Sequence, residues 1–177
     1  MSTSDIALIA HLMRRAGFGA SYAELEARAA KDYEEAVEEL LDPESYGVPP
    51  MDELYMARFY PDIEFPPNVP LGSCTFMYYL VNTPRPLEEK MTLFWHMVFA
   101  TGNSKVDNSP EMVRQISLFR QRGLGNYHDL LLELAKNPAM LYWLDNNLSH
   151  KDALNENWGR ELLELFSMGQ GNYTEED

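Results

Sequence analysis

The sequence predicts an all-α fold, an irregular array of many helices. Three observations predict it. Capping residues recur in front of apolar runs with helical spacing, and proline follows a capping residue three times where a helix would begin. No stretch sustains the apolar–polar alternation of a strand, and no segment repeats another. With 177 residues, 45% of them hydrophobic, the chain can bury a real core.

Ser4 reads as the cap of a first helix that carries Ile6, Ile9, Ala10 and Met13 on one face. Gly17 followed by Phe18 reads as its Schellman-type stop. Ser21 with Glu24, and Asp32 with Glu35, have capping-box spacing and open two short helices that end near Asp42-Pro43. A further helix is expected at about 52–59. The run PDIEFPPNVPLG then carries four prolines, whose missing N–H and fixed φ preclude regular structure. The expected organisation is therefore an acidic helical lobe over residues 1–60, a proline-rich loop over 61–72, and a second helical segment over 73–177. Within that segment an aromatic helix is expected at about 73–82, and Thr83-Pro84 opens a long helix reaching Ala100. Ser109-Pro110 opens another, closed by Gly123, while Asn126 and Asn137-Pro138 open two more. The final Thr174-Glu175-Glu176-Asp177 reads as a cap followed by acids that suit a helix N-terminus, yet no apolar run follows. The array is thus expected to be incomplete at its C-terminus, the N-terminal portion of a larger chain whose missing part is its natural partner. Produced by itself, it is expected to expose apolar faces and to aggregate or become molten.

The net charge of −14 is uneven: residues 22–64 hold 13 acids and 3 bases, while residues 85–164 hold 11 acids and 9 bases. The acidity reads as a solvated face of the first lobe. With no basic stripe to neutralise phosphates, nucleic acid is excluded as a partner. No window approaches the roughly 18 apolar residues of a membrane span. The N-terminus places an acid early and its arginines after the apolar residues, the reverse of a secretory signal, so a cytoplasmic location is the default. Cys74 stands alone, which precludes an intrachain disulfide; among apolar and aromatic neighbours it is expected to be a small buried side chain.

The helix expected from Pro84 to Ala100 is apolar most of the way round. Leu87, Met91, Phe94 and Val98 define one face, and Leu93, Trp95, Met97 and Phe99 extend it. Its polar exception is a stripe of Glu89, Thr92 and His96. A helix apolar on most sides should be buried on most sides, so that stripe must meet water, a partner side chain or a ligand. In the last helix Glu156, Arg160 and Glu164 fall at i, i+4 and i+8, beside Asn157 and Glu161 and opposite Trp158, Leu162, Leu165 and Phe166. A solvated salt-bridge ladder explains this spacing and contributes about 0.3–0.5 kcal/mol per pair. Upstream lies a concentration of acids and carboxamides: Asp145, Asn146, Asn147, His150, Asp152 and Asn155. Turn and cap chemistry accounts for many of them.

Three long motifs in order carry a family resemblance: RPLEEKMTLFWHMVFATGNSK (85–105), LGNYHDLLLELAKNPAMLYWLDNN (124–147) and NENWGRELLELFSMGQGNYTEED (155–177). With HLMRRAGFGASYAELE (11–26), they resemble the bacterial family called domain of unknown function 1800, everywhere except about residues 43–80. The resemblance implies a helical, elongated fold and a chain that continues past Asp177, and brings no activity with it. It also implies relatives that are often exported and often encoded beside a sulfatase-like family. Where members of the family often read W-H-N-H-F, this chain has Trp95-His96-Met97-Val98-Phe99, so a metal site needing both histidines is precluded.

Three functions fit these residues. One is a hydrolase-like or metal-assisted enzyme using His96, Asp145, His150 and Glu156, with histidine shuttling protons and carboxylates positioning water or a cation. No H-E-x-x-H, paired cysteines, nucleophile elbow or phosphate loop supports it, and no motif names a metal or cofactor. The second, which the sequence favours slightly, is a binding or structural module whose contacts include Glu89, Asn146, Asn147, Asn155, Arg160 and Glu161. In the third, the polar motifs are interior brackets that hold helices in register. Convergence of His96, His150 and Glu156 on one concave pocket would discriminate the first from the others.

Overall fold

A computed structural model describes residues 3–51, 58, 69–174 and 176. Its described residues form ten α-helices and no strand. First come α1 (Thr3–Ala16), α2 (Tyr22–Ala29) and α3 (Tyr33–Leu41). The middle of the chain holds α4 (Val69–Asn82), α5 (Pro86–Val98), α6 (Asn103–Val106) and α7 (Ser109–Arg122). Then follow α8 (Tyr127–Leu134), α9 (Pro138–Trp143), a 3-10 turn (Asn146–Leu148) and α10 (Asn157–Glu164). An isolated antiparallel bridge joins His150 to Ala153. No helix among the described residues is long and apolar enough to cross a membrane. The all-α expectation is met.

Local chemistry explains most of the boundaries and corrects several. Ser21 and Glu24 form the expected capping box, and the Ser21 bonds hold the Glu24 carboxyl below its usual range. Asp32 also precedes a helix, but its side chain caps nothing, so the second box is a spacing without the bonds. Helix α1 begins at Thr3, two residues before the start at Asp5 that a cap at Ser4 would give. Its stop is Gly19, at φ 97°, whose N–H donates to the Met13 carbonyl at 3.1 Å. Gly17 serves a different need: a Cβ there would meet Cβ of Pro86 at 2.8 Å, so its absence lets α1 approach the start of α5.

The helix expected at 52–59 lies outside the described residues apart from Arg58, as do residues 61–68 of the expected loop; Glu175 and Asp177 also lie outside. Residues 69–72 were expected to close that loop and instead form the first turn of α4. A proline in a first turn forfeits no intrahelical bond, which reconciles Pro70 with the helix. Helix α5 starts at Pro86 rather than at Thr83-Pro84, and the cap of α7 is Asn108, not Ser109, with its side chain accepting from the Glu111 amide. Asn126 and Asn137 cap α8 and α9 as expected. Cys74 is exposed rather than buried, because helical spacing places it with exposed Met77 and Val81, away from buried Tyr79.

Two apolar clusters form the interior. In the first, Ile9 and Met13 of α1 meet Ala36 and Leu40 of α3, with Leu87 of α5 packed against them. In the second, Phe99, Phe119, Leu130, Leu134, Met140 and Phe166 pack together. Phe99 stacks on Trp95 with centroids 5.4 Å apart and meets Phe166 edge-on at 4.9 Å, arrangements favoured by the ring quadrupoles. Trp95 donates from its indole to the Gly123 carbonyl at 2.7 Å. A Cβ on Gly123 would approach Trp95 Cδ1 to 2.8 Å, so glycine is required where α7 ends. Helix α5 thus contributes to both clusters. Arg85, buried just before it, donates Nε and Nη2 to the Val48 carbonyl at 3.1 and 2.7 Å, tying the turn after α3 to α5.

Candidate functional site

Helix α5 positions the site. Its buried side is a single line at i+3 and i+4 spacing, Glu89, Thr92, His96 and Phe99, of which only His96 is less than fully enclosed. The expected apolar face turns partly outward: Phe94, Met97 and Val98 are exposed. The polar stripe faces α7 because each member above His96 finds a partner there or on its own helix. Glu89, 1% exposed, receives a two-pronged bond from Arg120 of α7, Nε to Oε1 and Nη2 to Oε2, the latter at 3.1 Å. The guanidinium in turn lies 4.2 Å from the ring centre of Tyr79 on α4. Thr92 donates to the Glu88 carbonyl at 2.8 Å, one turn back.

His96 is different. Its Nδ1 is buried and has no hydrogen-bond partner. The ring meets Phe76 of α4 edge-on, centroids 6.0 Å apart. Burial pushes the imidazole pKa below its ordinary value, which favours the neutral ring. The ring lines a cleft of about 230 Å³ between α4, α5 and α7. Phe76, Met112, Val113 and Ile116 form its apolar wall; Ser73, Thr101, Asn103 and Ser109 bring polar atoms to it. Asn103 also carries a buried, unpartnered atom, its Oδ1. Native interiors leave few such atoms; among the described residues the third is Glu111 Oε2, and the other two belong to residues that line this one cleft.

Behind the cleft the polar atoms are satisfied. Thr101 donates its hydroxyl to Gln115 Oε1, and Gln115, fully buried, donates Nε2 to Asn137 Oδ1 at 3.2 Å. The same Oδ1 accepts from the Met140 amide at 3.2 Å, so one asparagine both caps α9 and anchors α7. A larger cleft, about 590 Å³, lies between the α1–α2 region and α4–α5. Its charged members are engaged elsewhere, Glu24 with Ser21 and Arg28 with Glu39 at 3.0 Å, which leaves its polar chemistry satisfied.

The other residues proposed from sequence lie elsewhere. None of Asp145, His150 and Glu156 lines the cleft at His96. Asp145 adopts the left-handed conformation, φ 58°, and accepts from Lys105 Nζ at 2.8 Å; Lys105 also donates to the Trp143 carbonyl at 2.6 Å. Asn155 donates Nδ2 to the Asp145 carbonyl at 3.1 Å, and Asn157 donates to the Leu144 carbonyl at 3.2 Å. These bonds fasten the turn after α9 to the start of α10. His150 is exposed, its Nδ1 accepting from the Asp152 amide at 3.3 Å. Asn146 accepts at its carbonyl from Ser149 and Asn147 is exposed. Glu156 stands just before α10 without capping it and, with Asn155, borders a separate open depression that contains no histidine. Arg160, exposed, donates to Asn157 Oδ1 at 2.9 Å, and Glu164 accepts from the Tyr173 hydroxyl at 3.3 Å. The expected acid–arginine ladder is therefore not made; no ion pair to Arg160 is found among the described residues. Glu161 is half-buried, its carbonyl accepting from the Leu165 and Phe166 amides. Among the described residues no three His, Cys, Asp or Glu side chains are grouped to hold a metal ion.

Asn103, Thr101 and Gln115 do not stand out among the polar residues of the sequence. A signal for one of them exists: Gln115 interrupts the line Met112, Phe119 on α7, a polar residue on an apolar stripe, just as His96 does on α5.

No curated protein matches the chain, and no solved structure does. The sequence profile of the family described as "Protein of unknown function (DUF1800)" matches residues 11–177, nearly the whole length. The motifs at 85–105, 124–147 and 155–177 fall within that match and build α5, the Asn137-capped α9 and the bracketed start of α10. The chain belongs to the DUF1800 family.

Proposed function

We propose that this chain is a helical binding module whose ligand site is the cleft at His96, with the acids and asparagines of 144–160 serving as brackets. One observation carries the reading: His96 Nδ1 and Asn103 Oδ1, both buried and unpartnered, belong to residues on one cleft with an apolar wall. The enzyme reading draws less support. His96 lines one cleft, Glu156 another, and His150 points its Nδ1 at its own turn. Asn155, Asn157 and Arg160 each make a bond that a bracket explains.

The test is an amide-resolved NMR titration with a library of small molecules that spans neutral, anionic and cationic members. Binding should move the resonances of His96, Asn103 and Val113 together. It should vanish in Val113→Trp, which fills the cleft, and persist in His150→Ala and Glu156→Gln. Shifts that centre on 145–156 instead would overturn the assignment.

A further inference from the structure

We propose that the cleft at His96 selects a small uncharged molecule with an apolar body and a hydroxyl or primary-amide head. This rests on the binding reading above and names the ligand class for the same site.

The absence of charge from the lining comes first. No Asp, Glu, Lys or Arg contributes to it. Of the ionised residues near the lining in sequence, Lys105 is bonded to Asp145 and the Trp143 carbonyl, while Glu111 meets Arg114 through Oε1 and keeps its buried Oε2 without a partner. A carboxylate or ammonium entering such a site would give up part of its hydration without gaining a counter-charge. A neutral molecule escapes that cost.

Size and shape come next. An apolar cavity of about 150 Å³ holds benzene. At about 230 Å³ the His96 cleft has room for a ring of that size plus a short polar head. Phe76, Met112, Val113 and Ile116 supply the apolar contact, and the adaptable thioether of Met112 tolerates variation in ring shape.

The head group follows from the two unpartnered atoms. Asn103 Oδ1 accepts only, so the ligand must bring a donor to it. His96 Nδ1 accepts or donates according to tautomer. A hydroxyl and a primary amide each carry both a donor and an acceptor, so either satisfies the pair, whereas an ether or a ketone leaves Asn103 unpaired.

The experiment compares five probes of one shape by the same NMR titration: benzyl alcohol, benzamide, toluene, benzoate and benzylammonium. The alcohol and the amide should bind about tenfold more tightly than toluene, the value of one well-made hydrogen bond, and at least tenfold more tightly than either ion. Asn103→Leu should remove the advantage of the alcohol over toluene while toluene still binds, which shows that the variant is folded. His96→Phe provides the second such variant. If benzoate or benzylammonium binds this cleft as tightly as the alcohol, or toluene does, the ligand class is wrong while the cleft remains a binding site. If no probe moves His96, Asn103 and Val113, both this inference and the binding reading fall.

Discussion

On α5 the polar residues Glu89 and Thr92 are enclosed, and His96, next in the same line, borders a cleft shared with α7. At α10 the line Glu156, Arg160 and Glu164 begins just before the helix, with Glu156 and Arg160 exposed and Glu164 half-buried, and its arginine bonds an asparagine instead of an acid. Both lines have i+3 or i+4 spacing. Their energetic weight differs because of what surrounds them. Around Glu89 and Arg120 (2% and 15% exposed side chains) water is excluded, so removing either partner strands the other in a poor solvent. Around Arg160 water replaces any partner at little cost. Polar spacing on a helix therefore says little until its direction is known, and direction is set by the neighbouring helices.

Four perturbations sharpen the contrast. Glu89→Ala leaves the Arg120 guanidinium without its carboxylate and should cost about 3–5 kcal/mol in denaturant unfolding; a loss below about 1 kcal/mol would mean that the pair is solvated. Gln115→Leu removes the link between Thr101 and Asn137, so that each loses one hydrogen bond. A loss of about 1–3 kcal/mol is expected from the same measurement, with Asn137→Ala destabilising in addition through the lost cap.

The third perturbation is pH. Burial holds the His96 imidazole pKa below its ordinary value in the folded state. The unfolded chain then binds more protons than the folded one in acid. Stability due to this residue should be constant above that value, fall as pH drops below it, and level off beneath the folded pKa. Phe76 meets the ring, and the other residues that line its cleft, Ser73, Thr101, Asn103, Ser109, Met112, Val113 and Ile116, carry no carboxylate, amine or imidazole. Comparison of melting temperature against pH for the native chain and His96→Phe isolates the effect; identical profiles would place the ring in water. The smallest effect is expected from Arg160→Met, less than about 1 kcal/mol, with α10 intact by circular dichroism.

Much of the fold was legible in the sequence because caps are local. Ser21 with Glu24, Asn126 and Asn137 announce their helices through bonds that span two or three residues. The boundaries that moved depend on more distant groups: Gly17 answers to Pro86, and the α4 start at Val69 overrides a proline-rich run. The site was half legible. His96 stood out as a polar residue on an apolar helix, and the structure places it on a cleft. Its companion Asn103 follows a glycine in a short loop-like stretch, where asparagine is ordinary, and only the tertiary fold reveals the unmet acceptor. The dense motif at 144–160 drew attention for its composition, yet its bonds run mainly to nearby backbone carbonyls.

The contrast between the two polar lines is tested most directly by a pair of double-mutant cycles read by denaturant unfolding, Glu89 with Arg120 and Arg160 with Glu164. The account predicts a coupling of about 1–3 kcal/mol for the first pair and none beyond about 0.5 kcal/mol for the second. Equal couplings, or a larger one on α10, would contradict it.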